Sequence, residues 1–169
     1  MKVQKLSRTA LLLALMIVFQ SLRLYLPMPV SLSVFLIGSL VNACLLLAAE
    51  DGWKAVLTLS LVAPVVAFLQ QALPLPIFIL PIAAANAAYA GGYLALAGKQ
   101  QLAAVLSATA AKLGIVYVTV TAIIQYMDIS GAMAAALTMM LGWPQGVTGI
   151  GGGIIFLAVQ KRLSKSFRG

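Results

Sequence analysis

The chain has 169 residues, of which 63% are hydrophobic and 8% charged, and its formal net charge is +8. Soluble domains average about 45–50% apolar and about 25% charged, so an ordinary soluble domain is excluded, and a mean hydropathy of +1.08 excludes disorder. The single cysteine, Cys44, has no partner for a disulfide within the chain; with no histidine and three acids, a Ser-His-Asp or Cys-His set is impossible and no metal or cofactor is expected.

What remains is an all-α membrane protein. A bilayer core of about 30 Å needs roughly 20 apolar residues per helix. Such runs predict spans over about 9–26, 31–49, 53–72, 77–97, 102–126 and 144–160, one integral membrane domain covering 1–169. The runs are continuously apolar rather than alternating, which disfavours a β-barrel. No internal repeat or soluble domain stands out.

In chain order, the first span follows Lys2, Lys5 and Arg8 and ends at Pro27-Met28-Pro29. Its start imitates a signal peptide, but Gln20 to Tyr25 offers no small-x-small cleavage site, so a retained helix is expected. Gln20, Arg23 and Pro27 share one face, and Ala10 and Ala14 lie roughly 80–120° from Gln20 at 100° per residue. The second span carries Asn42 and ends at Glu50-Asp51-Gly52. The third ends at Leu73-Pro74-Leu75-Pro76. In the fourth, Asn86, Tyr89 and Tyr93 form a stripe, and Gly98-Lys99-Gln100 follows. The fifth carries Lys112, Thr119 and Tyr126 on one stripe and ends at Asp128-Ile129-Ser130-Gly131.

The last segment has two readings. One is a single helix over 132–160 kinked at Pro144. The other, preferred, is a short surface helix over 133–141, a break at Gly142-Trp143, and a span beginning at Pro144, because proline suits a first turn and costs about 3 kcal/mol inside a helix.

Charge sets the topology. Lys2, Lys5, Arg8, Lys54, Lys99, Lys161, Arg162, Lys165 and Arg168 flank alternate ends of the spans, and the other turns hold no Lys or Arg. The positive-inside rule then places both termini in the cytoplasm. This accounts for most of the basic charge without nucleic acid.

Two cations fall inside predicted spans, Arg23 and Lys112. A charge at the bilayer centre costs about 2.5–3.5 kcal/mol on insertion scales. On the outer side only Asp128 is acidic. Arg23 and Lys112 therefore either snorkel to polar surroundings or face a cavity that takes an anionic group. Asn42 and Asn86 suit bonds to neighbouring helices, with ligand contact as the alternative. At Gly142-Trp143-Pro144-Gln145-Gly146, a helix start favours anions, Trp143 offers a flat ring and Gln145 a carboxamide. Gly142 and Gly146, like Gly149 and Gly153, are spaced for close helix approach. Gly149-Ile150-Gly151 follows no strand, so a dinucleotide site is rejected, and no Walker motif is present.

The size, the six spans, Ala10-Leu11-Leu12-Leu13-Ala14 and the closing Trp143-Pro144-Gln145-Gly146-Val147-Thr148-Gly149-Ile150-Gly151-Gly152-Gly153 resemble the S components of energy-coupling factor (ECF) transporters, the prokaryotic vitamin importers. The resemblance covers essentially the whole chain. It implies a non-enzymatic, multi-pass protein of the prokaryotic cell membrane that binds a small substrate near its outer side. It implies docking, through Ala10 and Ala14, on an energising transmembrane subunit that carries two ATP-binding cassette ATPases. It offers no universal substrate motif, so the pocket is assigned to the chain's own polar residues: Arg23, Asn86, Lys112, Trp143 and Gln145. A vitamin-sized carboxylate or phosphate is the expected ligand. The alternatives are a scaffold without transport and a solitary secondary transporter, the latter normally needing a mid-span acid that is missing.

Overall fold

In hydrocarbon a backbone must satisfy its own polar groups, and long apolar runs do so by closing into helices. The computed structural model describes residues 2–26, 29–98, 100–129 and 131–166, and among them only helices and turns occur. The helices are α1 (Lys2–Tyr25), α2 (Val30–Ala49), α3 (Trp53–Leu69), α4 (Ile79–Leu96, preceded by a 3-10 turn at Pro76–Phe78), α5 (Gln101–Tyr126), α6 (Gly131–Leu141) and α7 (Trp143–Ser166). Pro27, Met28, Lys99, Ser130 and Arg168 lie outside the described residues, as do the side chains of Lys2 and Lys165.

Four segments are long and apolar enough to cross a membrane: Val3–Tyr25, Leu32–Ala49, Pro76–Leu96 and Gln101–Tyr126. Helix α3 is apolar but has 17 residues. Helix α7 is long, but its glycines and polar start dilute its apolar content. The protein is thus an all-α bundle with the character of a multi-pass membrane protein.

Boundaries differ from expectation at three places, one of them the end of α7, which runs to Ser166 rather than 160. Helix α1 begins well before residue 9, because Lys2 to Arg8 contains no residue that breaks a helix. Helix α3 stops at Leu69 rather than near 72. There Gln71 takes a left-handed conformation (φ 58°), and Ala72 N–H bonds Ala67 O at 2.8 Å while Gln71 N–H bonds Phe68 O at 2.9 Å. This Schellman closure ends the helix. Asp128 (φ 49°) closes α5 in the same way, through Ile129 N–H to Ile124 O at 3.0 Å. The preferred reading of the last segment agrees with the structure: α6 and α7 are separate, and Pro144 sits in the first turn of α7. Gly142 marks the break, where a Cβ would lie 2.5 Å from Thr138 O.

The six long helices close a ring in the order α1, α2, α7, α5, α4, α3, and α6 lies outside against α5 and α7. At one end, Arg8 pairs with Glu50 and reaches Asp51 at 3.5 Å. Gln160 donates to Glu50 Oε1 at 2.9 Å, and Gln101 donates to Gln160 at 3.3 Å. The start of α1 and the last turns of α7 therefore share this end with the α2–α3 turn.

The glycine string of α7 is a packing device. Gly151 and Gly152 lie on α2, where a Cβ on Gly152 would sit 2.8 Å from Ser39 O and closer still to Asn42 Cβ. Gly149 and Gly153 lie on α5, against Thr109 and Val105. Small residues allow this approach of backbones. One apolar cluster, including Met16, Leu45, Leu46, Tyr93 and Phe156, fills the bundle, and a second, including Phe78, Val116, Val120, Leu137 and Leu141, joins α6 to the ends of α4 and α5.

Candidate functional site

Polar residues are buried from mid-bundle, at Asn42, Ser60 and Lys112, toward the end away from Arg8 and Glu50, at Gln20 and Thr148. On α1, Leu12, Met16 and Gln20 recur every four residues and turn inward. Gln20 Nε2 donates to Ala63 O on α3 at 3.0 Å, so its other amide atom, Oε1, is the acceptor, and it has no protein partner. One turn later, Arg23 is part-buried, and its single hydrogen bond among the described residues runs from Nε to Gln20 O at 3.0 Å.

On α5, Lys112 is buried at 4% exposure. Its Nζ donates to Asn42 Oδ1 on α2 at 2.6 Å and lies 5.5 Å from the centre of the Tyr89 ring on α4. Tyr89 in turn donates its hydroxyl to Gly149 O on α7 at 2.6 Å. The ammonium thus joins a polar chain through four helices, α5, α2, α4 and α7, without meeting an acid. Of the three acids, Glu50 and Asp51 are engaged by Arg8 at the opposite end, and Asp128 is exposed in the turn after α5.

These side chains line a cavity of about 150 Å³. Gln20 and Arg23 come from α1, Asn42 from α2, Asn86 from α4, Lys112 from α5, and Gln145 and Thr148 from the first turns of α7. Pro64, inside α3, and Met140 and Leu141 of α6 complete the apolar part of the wall. The carboxamides of Asn86 and Gln145 make no hydrogen bond among the described residues, and Asn86 is buried. No acidic residue lines the cavity among those described. Chemically, the arrangement is a small, partly enclosed space with two cationic donors and several amides, which favours an anion.

Four of the five residues singled out in the sequence, Arg23, Asn86, Lys112 and Gln145, meet at this cavity. Trp143 does not. It is 58% exposed on the outside of the bundle, and its ring packs on Phe35 with centroids 5.5 Å apart. The physical reason is the rotation of α7: Gly149, Gly151, Gly152 and Gly153 commit one side of the helix to α2 and α5, which turns Trp143 outward. Gln20, Asn42 and Thr148 also line the cavity and were not assigned to it. Gln20 could have been found from its place on the Arg23 face; Asn42 and Thr148 gave no signal beyond being polar in apolar helices. Ala10 and Ala14 are exposed on α1, on the side away from Leu12 and Met16.

No family model, curated protein or solved structure matches this chain.

Proposed function

We propose that this protein is the substrate-binding membrane subunit of an ECF-type importer, which captures a small anion at the outer side and releases it inward after docking on an ATPase-driven partner. The observation that carries the reading is the cavity bearing Lys112 and Arg23, two cations that no acid compensates. Burying an ammonium without a counter-charge is costly, and a bound anion supplies that charge. The rest of the reading follows the same line. Helix α3, at 17 residues, is about 26 Å long, and α7, at 24 residues, about 36 Å. Helix α7 exceeds a bilayer core of about 30 Å, and α3, at the short end of the range for spans, crosses one that thins locally, giving six spans with α6 at the outer surface. The end holding Arg8 and the late turns of α7 is cytoplasmic under the positive-inside rule, so the cavity opens outward. Ala10 and Ala14, small and exposed, give a partner helix room to approach α1. The chain carries no nucleotide motif, so ATP hydrolysis belongs to partner subunits.

The test is mass spectrometry of small molecules released from the protein purified in mild detergent. One anionic compound, bound stoichiometrically and lost from Lys112→Ala, is expected. A neutral or cationic ligand retained by that variant would refute the assignment.

A further inference from the structure

The charge of the cavity says what part of the ligand must be anionic; its amides constrain the rest. Resting on the reading above, we infer that the ligand is a small anion whose uncharged part carries its own amide or hydroxyl groups, and not an apolar acid.

Size comes first. The space of about 150 Å³ is partly open, so it encloses the charged and polar part of a small ligand and sets no upper limit on the whole.

Polarity comes second. Four carboxamides surround this small space: Gln20, Asn42, Asn86 and Gln145. Two are tied into the walls through one atom each: Gln20 donates to Ala63 O and Asn42 accepts from Lys112, while Gln20 Oε1 and Asn42 Nδ2 have no hydrogen-bond partner among the described residues. Asn86, 2% exposed, and Gln145 have no hydrogen-bond partner among the described residues. When the site is empty, water serves such groups. A ligand that displaces that water without replacing its bonds loses affinity, because buried amides are then left unpaired. An apolar tail would strand Asn86 and Gln145; an amide or hydroxyl on the ligand pairs with them. With no carboxylate among the lining residues described, a ligand ammonium has no counter-charge, so a zwitterion is disfavoured.

Three probes of nearly the same shape separate these terms: succinamate, 4-methylpentanoate, in which two methyls replace the carboxamide, and neutral succinamide. Affinities of the purified full chain in nanodiscs are measured by ligand-observed NMR titration. Succinamate is expected to bind about tenfold or more tighter than 4-methylpentanoate, a ratio that Asn86→Leu reduces about threefold or more, Gln145 still favouring the amide. Should Asn86→Leu fail to fold, Gln145→Met, in the first turn of α7, provides the same readout. Equal or tighter binding of 4-methylpentanoate to the native protein overturns the inference while leaving the anion reading intact. Succinamide binding as well as succinamate overturns the anion reading instead. Absence of binding by all three overturns the inferred ligand class.

Discussion

Lys112 and Asn42 form the contact at which fold and function compete. The ammonium has one hydrogen bond and one aromatic face, and no acid, at a depth where a charge costs about 2.5–3.5 kcal/mol. If the residue served stability alone, its removal would weaken the protein. Lys112→Met loses the bond to Asn42, worth about 1–3 kcal/mol when one partner is stranded, but relieves the buried charge. The unliganded variant should therefore melt no lower than the native protein, while affinity for the co-purified ligand falls about 10–100-fold, the scale of one charge-assisted bond. Differential scanning fluorimetry with and without ligand checks both. A lower unliganded melting temperature with ligand stabilisation intact would mean that Lys112 only supports the fold. Arg23, bonded to its own helix, moves more freely, and Arg23→Gln should cost affinity with little change in melting.

Among the elements, α7 and α5 make opposite demands on side-chain size. Gly152 sits where a Cβ would press on the backbone of α2, and Gly114 on α5 has nothing within 4 Å of a built Cβ. Gly152→Ala should destabilise by about 1–3 kcal/mol, through overpacking against a backbone that has no rotamer to yield. Gly114→Ala should be neutral or stabilise by up to about 1 kcal/mol through helix propensity. Thermal unfolding in one detergent compares the pair directly, and equal effects would show that the α2–α7 contact is looser than described. At the end of α3, Gln71 holds a left-handed conformation that glycine adopts without strain. Gln71→Gly should raise the melting temperature, whereas the β-branched Gln71→Val should lower it.

For the molecule as a whole, the consequence is a division between two ends and one flank. The end with Arg8, Glu50 and Gln160 is polar and paired; the far half holds the cavity; the outer flank of α1 exposes Ala10 and Ala14 among Leu11, Leu15 and Val18. In a Cys44→Ala background, a membrane-impermeant maleimide should label Asp128→Cys in intact cells but Lys54→Cys only after lysis. The reverse pattern would invert the proposed orientation. Ala10→Trp or Ala14→Trp should abolish co-purification with the proposed energising subunit while leaving ligand affinity unchanged. A complex recovered at native yield would remove α1 from the docking surface.

Much of this was legible in the sequence because hydrocarbon leaves a chain few options. Apolar length specified the helices, and proline and glycine marked the separation of α6 from α7. A charge among apolar residues is conspicuous at any depth, so Arg23 and Lys112 stood out unaided. Periodicity, however, gives the face of a helix and not its neighbour. That Lys112 meets Asn42 rather than Asp128, that Gln20 turns to Ala63, and that Trp143 faces away from the cavity all depend on how six helices are rotated about their axes. Those rotations are set by close contacts such as Gly152 on Ser39 and Gly153 on Val105, which join residues far apart in the chain. Sequence by itself thus determined the segments, their ends and the excess of buried positive charge, since these follow from local chemistry in a medium without water. Only the tertiary structure decided which polar groups share one cavity and how small that cavity is, since both are properties of packing between helices.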